Sequence, residues 1–124
     1  EGNVVVNTLH DVTIAEINAG HTLVTVPAAL YFRLVDVRAV AYGGACAAVT
    51  TVDLKVGSTI LVTYAQVNLT QSNLLDLDDT GVTALANGAS FTAGAVGDDV
   101  TVIKAGSDVI TCTGVRFILS YVLQ

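Results

Sequence analysis

The most informative stretch of the chain covers residues 34–56 and reads LVDVRAVAYGGACAAVTTVDLKV. It contains two arms in which apolar and polar side chains alternate. Because successive side chains of a β-strand point to opposite faces, each arm is predicted to be a half-buried strand. The residues predicted to share a buried face are Val35, Val37, Ala39 and Ala41 in the first arm and Val52, Leu54 and Val56 in the second.

A run of small residues, from Gly43 to Ala48, separates the two arms. The Gly43–Gly44 pair tolerates positive φ and indicates a chain reversal, so the stretch is interpreted as a β-hairpin. A lone hairpin is marginal in water, and its dry face needs a second sheet or another subunit. Small side chains also permit close backbone approach across an interface. A bulky replacement of Cys46 is therefore expected to disturb assembly more than folding.

Composition describes a single folded domain that is poor in charge. The chain has 124 residues, which is enough to bury a substantial core without disulfides or a bound metal. Apolar residues make up 52% and charged residues 13%, against averages of about 45–50% and about 25%. So little charge covers an ordinary monomer surface poorly. We therefore expect part of the surface to be buried in a homo-oligomer or a larger particle.

Charge and hydropathy argue against two classes of partner. The formal net charge is −6, and the five basic residues form no cluster. Nucleic-acid binding requires a basic stripe, so no nucleic-acid partner is expected. No apolar run reaches the roughly 18 residues of a membrane helix, so no membrane partner is expected either. The chain contains no methionine and starts at Glu1, from which we expect a processed or truncated product.

Short alternating segments separated by turn signals continue along the whole chain. About eight strands and no convincing helix predict an all-β, antiparallel β-sandwich of jelly-roll-like form. Helix remains an alternative for residues 60–77, where leucines and polar residues mix. Residues 87–99 are interpreted as a Gly/Ala-rich loop and residues 105–108 as a turn. The further predicted strands are residues 12–14, 21–26, 30–42, 60–64, 67–77, 82–85, 100–103 and 115–123.

Residues 1–19 stand apart from the sandwich domain predicted over residues 20–124. They contain a run that is apolar on both faces, Val4-Val5-Val6, followed by alternating residues. The segment is either an ordinary first strand or an arm that pairs with the sheet edge of a neighbouring subunit. On the second interpretation the partner-binding residues are Val4, Val5, Val6, Val12 and Ile14.

The two cysteines, Cys46 and Cys112, match no metal or haem spacing. Either they pair or they are buried thiols. A disulfide between them would close a loop worth about 4 kcal/mol in chain entropy. Residues 46–49 (CAAV) and 112–115 (CTGV) are similar, and each precedes a predicted strand. If those two strands are neighbours in equivalent positions, the two cysteines could lie close together.

The sequence contains no recognisable catalytic or cofactor motif. His10 and His21 are the only histidines, and neither lies in a nucleophile motif. The acidic turn from Asp76 through Asp78 and Asp79 begins like a calcium loop but has Asn87 where a bidentate Glu is required. We therefore predict no enzyme activity, no cofactor and no metal site, and interpret the acidic turn as solvated.

The small-residue stretch VDVRAVAYGGACAAVTTVDL, a Leu-rich segment, a Gly/Ala loop and a closing TGVRFILSYVL together resemble small β-sandwich decoration (cement) proteins of tailed bacteriophages. The resemblance implies a jelly-roll-like homotrimer that binds the major capsid protein on the capsid exterior and stabilises the shell. The main alternative is an extracellular filament or adhesin subunit that donates residues 1–14 as a strand. A carbohydrate-binding module is disfavoured because the chain lacks tryptophan.

Overall fold

A computed structural model describes residues 4–84 and 95–124. Eight strands and one short α-helix account for most of these residues. The elements in chain order are β1 (Val6–Thr13), α1 (Ile14–Ala19), β2 (His21–Val24), β3 (Phe32–Tyr42), β4 (Ala47–Val56), β5 (Thr59–Ala65), a 3-10 turn (Gln66–Asn68), β6 (Val82–Ala84), β7 (Val100–Ile110) and β8 (Gly114–Leu123). No helix among the described residues is long and apolar enough to cross a membrane.

The strands form two antiparallel sheets, as the sequence predicted. Sheet 1 has the order β1-β8-β3, and sheet 2 has the order β2-β7-β4-β5-β6. This interleaving, in which the first and last strands are neighbours, makes the sandwich jelly-roll-like. Strand β6 extends sheet 2, whereas a jelly roll would place it beside β3. A single bridge between Ala39 and Leu75 occupies that position instead.

The predicted hairpin at residues 34–56 is wrong, although both of its strands exist. Strand β3 pairs with β8, whereas β4 pairs with β5 and β7 in the other sheet. The small residues after Tyr42 therefore form a crossover between sheets. Alternation indicates which face of a strand is buried but carries no information about its partner. Both arms do turn their apolar faces to the same interior.

A β-bulge divides the first arm into two registers. The pairing with β8 shifts between Leu34 and Asp36, so the extra residue, Val35, points outward. Leu34 is buried before the bulge, and Val37, Ala39 and Ala41 are buried after it. The prediction that Val35 shares their face is therefore wrong, because a bulge inserts one residue and resets the alternation.

Helix α1 replaces the end of the strand predicted at residues 12–14. Val12 is in β1, but Ile14 begins the helix. Thr13 caps it: its hydroxyl accepts the Glu16 N–H at 3.3 Å, while the Glu16 carboxylate accepts the Thr13 N–H at 3.0 Å. This reciprocal capping box is a recognised helix start and is visible in the sequence as Thr-x-x-Glu.

Two other segments differ from expectation. The turn predicted at residues 105–108 lies inside one continuous strand, β7, where Gly106 at φ 81° accompanies an irregular register opposite β4. In place of the strand predicted at residues 67–77 there is a 3-10 turn followed by a loop. Two leucines of this loop, Leu69 and Leu75, are buried in the core. Most of the predicted loop at residues 87–99, and Leu85 of the predicted strand 82–85, lie outside the described residues.

The core lies between the facing sheets. Strand β8 supplies the most regular inward row, Val115, Phe117, Leu119 and Tyr121, as its alternation predicted. From sheet 2, β4 supplies the predicted row Val52, Leu54 and Val56. Ile17 of α1 is also fully buried and packs against the same cluster.

Candidate functional site

The most prominent exposed apolar surface of sheet 1 lies along β1. We define the β1 rim as Val4, Val5, Val6 and Leu9. Val4 is 68% exposed and Leu9 58% exposed. Strand β1 pairs with β8 on one side, and within the described ranges no strand pairs with its other edge. An unpaired edge with apolar side chains is the usual template for pairing with another chain.

The five predicted partner-binding residues separate into two groups. Val4, Val5 and Val6 belong to the rim and are accessible. Val12 is buried in the core of its own chain, and Ile14 packs against that core from α1. As folded, Val12 offers no surface to a partner. Leu9 was not predicted because it stands between polar residues, and only the pairing of β1 with β8 shows which face it occupies.

The outward face of sheet 1 around Leu9 carries ordered polar pairs. Leu9 is in register with Ile118. On one side of it, Arg116 Nε and Nη2 donate to the two carboxylate oxygens of Asp11 at 2.6 and 3.0 Å. Hydrogen bonding to this guanidinium, followed by its charge, lowers the pKa of Asp11. Asp11 and Arg116 are thus already paired with each other, and Leu9 is an exposed apolar side chain beside them.

On the other side of Leu9 the face is slightly concave. Ser120 donates to Asn7 Oδ1 at 2.5 Å, and Arg38 Nε lies 2.8 Å from Asp76 Oδ1. A shallow, open cavity of about 300 Å³ is lined by Asn7, Asp36, Arg38, Ile118 and Ser120. Its polar side chains are paired within the chain.

The two histidines make local polar contacts. His10 faces inward opposite Phe117 and shares a 2.7 Å hydrogen bond with Thr8. Burial, and secondarily the charge of His21, lowers the pKa of His10. His21 Nδ1 lies 3.5 Å from Glu16, on helix α1. Within residues 4–84 and 95–124, neither ring hydrogen-bonds to a serine or a cysteine.

The acidic turn is held by its own contacts. The Asp76 carboxylate faces Arg38, and the Asp79 carboxylate accepts the N–H of Asp76 at 2.8 Å. Asp98 and Asp99 likewise accept backbone N–H groups, from Ala95 and Val26. Among the residues with described positions, no group of three or more acidic, His or Cys side chains could hold a metal ion.

The two cysteines lie together inside the fold. Cys46 is in the crossover from β3 to β4, Cys112 is in the crossover from β7 to β8, and their sulfur atoms are 2.9 Å apart. Their exposed fractions are 1% and 5%. Cys46 itself is therefore packed within its own chain, whereas Gly43, Ala45 and Ala48 of the small-residue run are exposed.

In comparisons with known proteins, no family model, no curated protein and no solved structure matches the chain. Function is therefore inferred from the surface itself. The features that bear on it are the β1 rim, the unpaired edge of β1 and the low charge of the chain.

Proposed function

We propose that this chain is a structural subunit that decorates and stabilises the outside of a phage capsid as a homotrimer. The observation that carries the proposal is the β1 rim, a set of exposed aliphatic side chains at the free edge of sheet 1. Val6 lies on the inward face of that edge, in register with Tyr121, and Leu9 lies on the outward face, in register with Ile118. Jelly rolls are common among viral capsid and lectin domains. The resemblance of the sequence to phage decoration proteins supports a capsid as the particle that the subunit would bind.

The contact mechanism combines backbone pairing with apolar burial. A strand added to the free edge of β1 would satisfy its open N–H and C=O groups, as in other β-augmented complexes. Burying rim side chains adds roughly 1.5–3 kcal/mol for each that is fully covered. Val4, Val5 and Leu9 are the exposed side chains that such a partner, a second copy or the major capsid protein, would cover.

Charge favours the same surface for contact between copies. Each chain carries a formal charge of −6, so two copies repel each other wherever acidic surfaces meet. The rim residues Val4 to Val6 carry no charge. Contact there avoids the repulsion and removes apolar surface from water. The subunit acts by binding and clamping, without catalysis.

Sedimentation of the full chain tests the proposal. The wild type is expected to sediment as a discrete trimer. The variant Val4→Glu/Leu9→Glu is expected to be a folded monomer. The control Val67→Glu/Leu74→Glu adds the same charge at exposed sites away from the rim and should stay trimeric. A wild type that remains monomeric and leaves capsids from the native source undecorated in electron micrographs would overturn the proposal.

The alternative is a filament subunit that donates β1 to a neighbour. It is favoured by one observation: β1 is an edge strand paired only with β8 among the described strands, so an exchanged copy could take the same register. Donation would produce open-ended polymers in place of trimers. Deleting residues 1–14 would abolish those polymers, because the donated strand would be missing.

A further inference from the structure

We propose that Cys46 and Cys112 form a disulfide that fastens together the two crossovers between the sheets. The crossover from β3 to β4 and that from β7 to β8 lie side by side, and each carries one of the chain's two cysteines. Their sulfur atoms are 2.9 Å apart, and a disulfide requires about 2.05 Å. A movement of less than about 1 Å therefore brings them to bonding distance.

The backbone around the pair is shaped for close approach. A Cβ on Gly43 would lie 2.0 Å from Thr113 Oγ1, and a Cβ on Gly44 would lie 2.6 Å from the Thr111 carbonyl oxygen. Both glycines also have positive φ, 71° and 127°. Only glycine fits here, because any side chain would push the two crossovers apart.

Hydrogen bonds fix the two crossovers to each other on both sides of the cysteines. Thr113 N–H donates to the Tyr42 carbonyl at 2.9 Å, and the Thr111 hydroxyl lies 2.6 Å from both the Ala45 and the Ile110 carbonyl oxygens, either of which can accept its proton. These bonds are independent of the sulfur atoms. The approach of Cys46 to Cys112 is thus built into the backbone.

A third segment, around the 3-10 turn after β5, hydrogen-bonds to the backbone of Cys46. The Cys46 N–H donates to the Leu69 carbonyl at 2.9 Å, and the Gln66 side-chain amide donates to the Cys46 carbonyl at 2.6 Å. Cys46 therefore has little freedom to move away from Cys112. A preorganised pair of this kind loses little further conformational freedom when the bond forms.

Formation of the bond is a two-electron oxidation. Two S–H bonds break, one S–S bond forms, and two protons and two electrons pass to a low-molecular-weight disulfide, which is reduced to two thiols. The exchange proceeds through a mixed disulfide attacked by a thiolate. Such bonds persist in oxidising settings, which include the extracellular space and virion surfaces.

Burial determines when the exchange occurs. It raises the pKa of the Cys46 thiol, and contact with Cys112 raises it further. The thiolate is therefore scarce in the folded chain, and solvent reagents reach neither sulfur readily. Oxidation belongs to the folding stage, before this end of the sandwich closes. Once formed, the bond is shielded from reductant.

Refolding the full chain in a glutathione redox buffer tests the inference. After alkylation in denaturant, the product is expected to have no alkylated thiol and a mass about 2 Da below that of the dithiol form. Chain refolded under reductant is expected to melt at a temperature lower by roughly 10 °C or more. Two alkylated thiols per chain after oxidative refolding would overturn the inference.

The double variant Cys46→Ala/Cys112→Ala separates a bond from packing. If the bond exists, reductant present during refolding lowers the melting temperature of the wild type and leaves that of the variant unchanged. An equal effect of reductant on both proteins contradicts the inference. Should the variant fail to fold, the thiol count and mass of the wild type still decide the question.

Discussion

The ring of Tyr64 meets the ring of Phe117 edge-on, with 6.0 Å between ring centroids, and this contact joins the two sheets. Tyr64 lies on β5 of sheet 2 and Phe117 on β8 of sheet 1. Both side chains are fully buried. Such edge-to-face pairs contribute roughly 0.5–1.5 kcal/mol beyond their buried area. The pair therefore connects the two sheets through the core.

The Tyr64 hydroxyl is the weak point of this contact. Among the described residues it has no hydrogen-bond partner, and burial raises its pKa. We expect Tyr64→Phe to keep the ring contact, remove the unpaired group and raise the free energy of unfolding by about 1 kcal/mol. Urea denaturation measures this. Tyr64→Leu, which loses the ring, should be destabilised; a loss of stability in Tyr64→Phe would mean that the hydroxyl is bonded.

The bulge in β3 makes opposite predictions for two neighbouring valines. Val37 is fully buried, whereas Val35 is exposed at the bulge. Val37→Thr places a hydroxyl in the core and should cost about 1–3 kcal/mol of unfolding free energy. Val35→Thr, with the same change of atoms, should stay within about 0.5 kcal/mol. Equal losses in thermal or urea unfolding would indicate an unbulged strand with both residues buried.

The contrast between these valines shows what alternation can predict. Alternation correctly placed Phe117, Leu119 and Tyr121 on the buried face of β8, because that strand is uninterrupted between its partners. It failed at Val35, since a bulge has no fixed residue signature and resets the faces. It also placed β3 and β4 in one hairpin. The partner of a strand is set by contacts far apart in sequence.

The candidate surface was only partly visible in the sequence. Val4, Val5 and Val6 were found because a run that is apolar on both faces is unusual for a half-buried strand. Leu9 was missed because its exposure follows from its register with Ile118. The sequence allowed Cys46 to meet Cys112 if β4 and β8 were neighbours, but these strands lie in different sheets. The cysteines meet instead because the two crossovers between the sheets lie side by side.

The capping box at the start of α1 predicts that removing the Thr13 hydroxyl lowers the stability of the fold. In Thr13→Ala the hydroxyl that accepts the Glu16 N–H is missing, and the unfolding free energy should fall by about 1 kcal/mol. Thr13→Ser retains the hydroxyl and should be close to the wild type. Chemical denaturation of the three proteins checks this. Equal stability of the alanine and serine variants would show that the cap contributes nothing.

His10 predicts how stability changes between neutral and mildly acidic pH. Its pKa is lowered in the folded chain, first by burial and then by the charge of His21. An unfolded histidine titrates near 6.5. Below that pH the unfolded chain therefore binds a proton that the folded chain binds less readily. Stability should be complete above about pH 6.5 and should fall as the pH drops through the folded pKa.

Replacing the ring isolates this contribution. His10→Gln lacks the titrating group, and its unfolding free energy should change less than that of the wild type between about pH 7.5 and about pH 5. The carboxylates with lowered pKa, Asp11 and Glu16, lose their contribution only at lower pH. Urea unfolding at several pH values gives the two slopes. Parallel slopes would show that His10 is equally protonated in the folded and unfolded chains, and that the inward face of β1 is open to water.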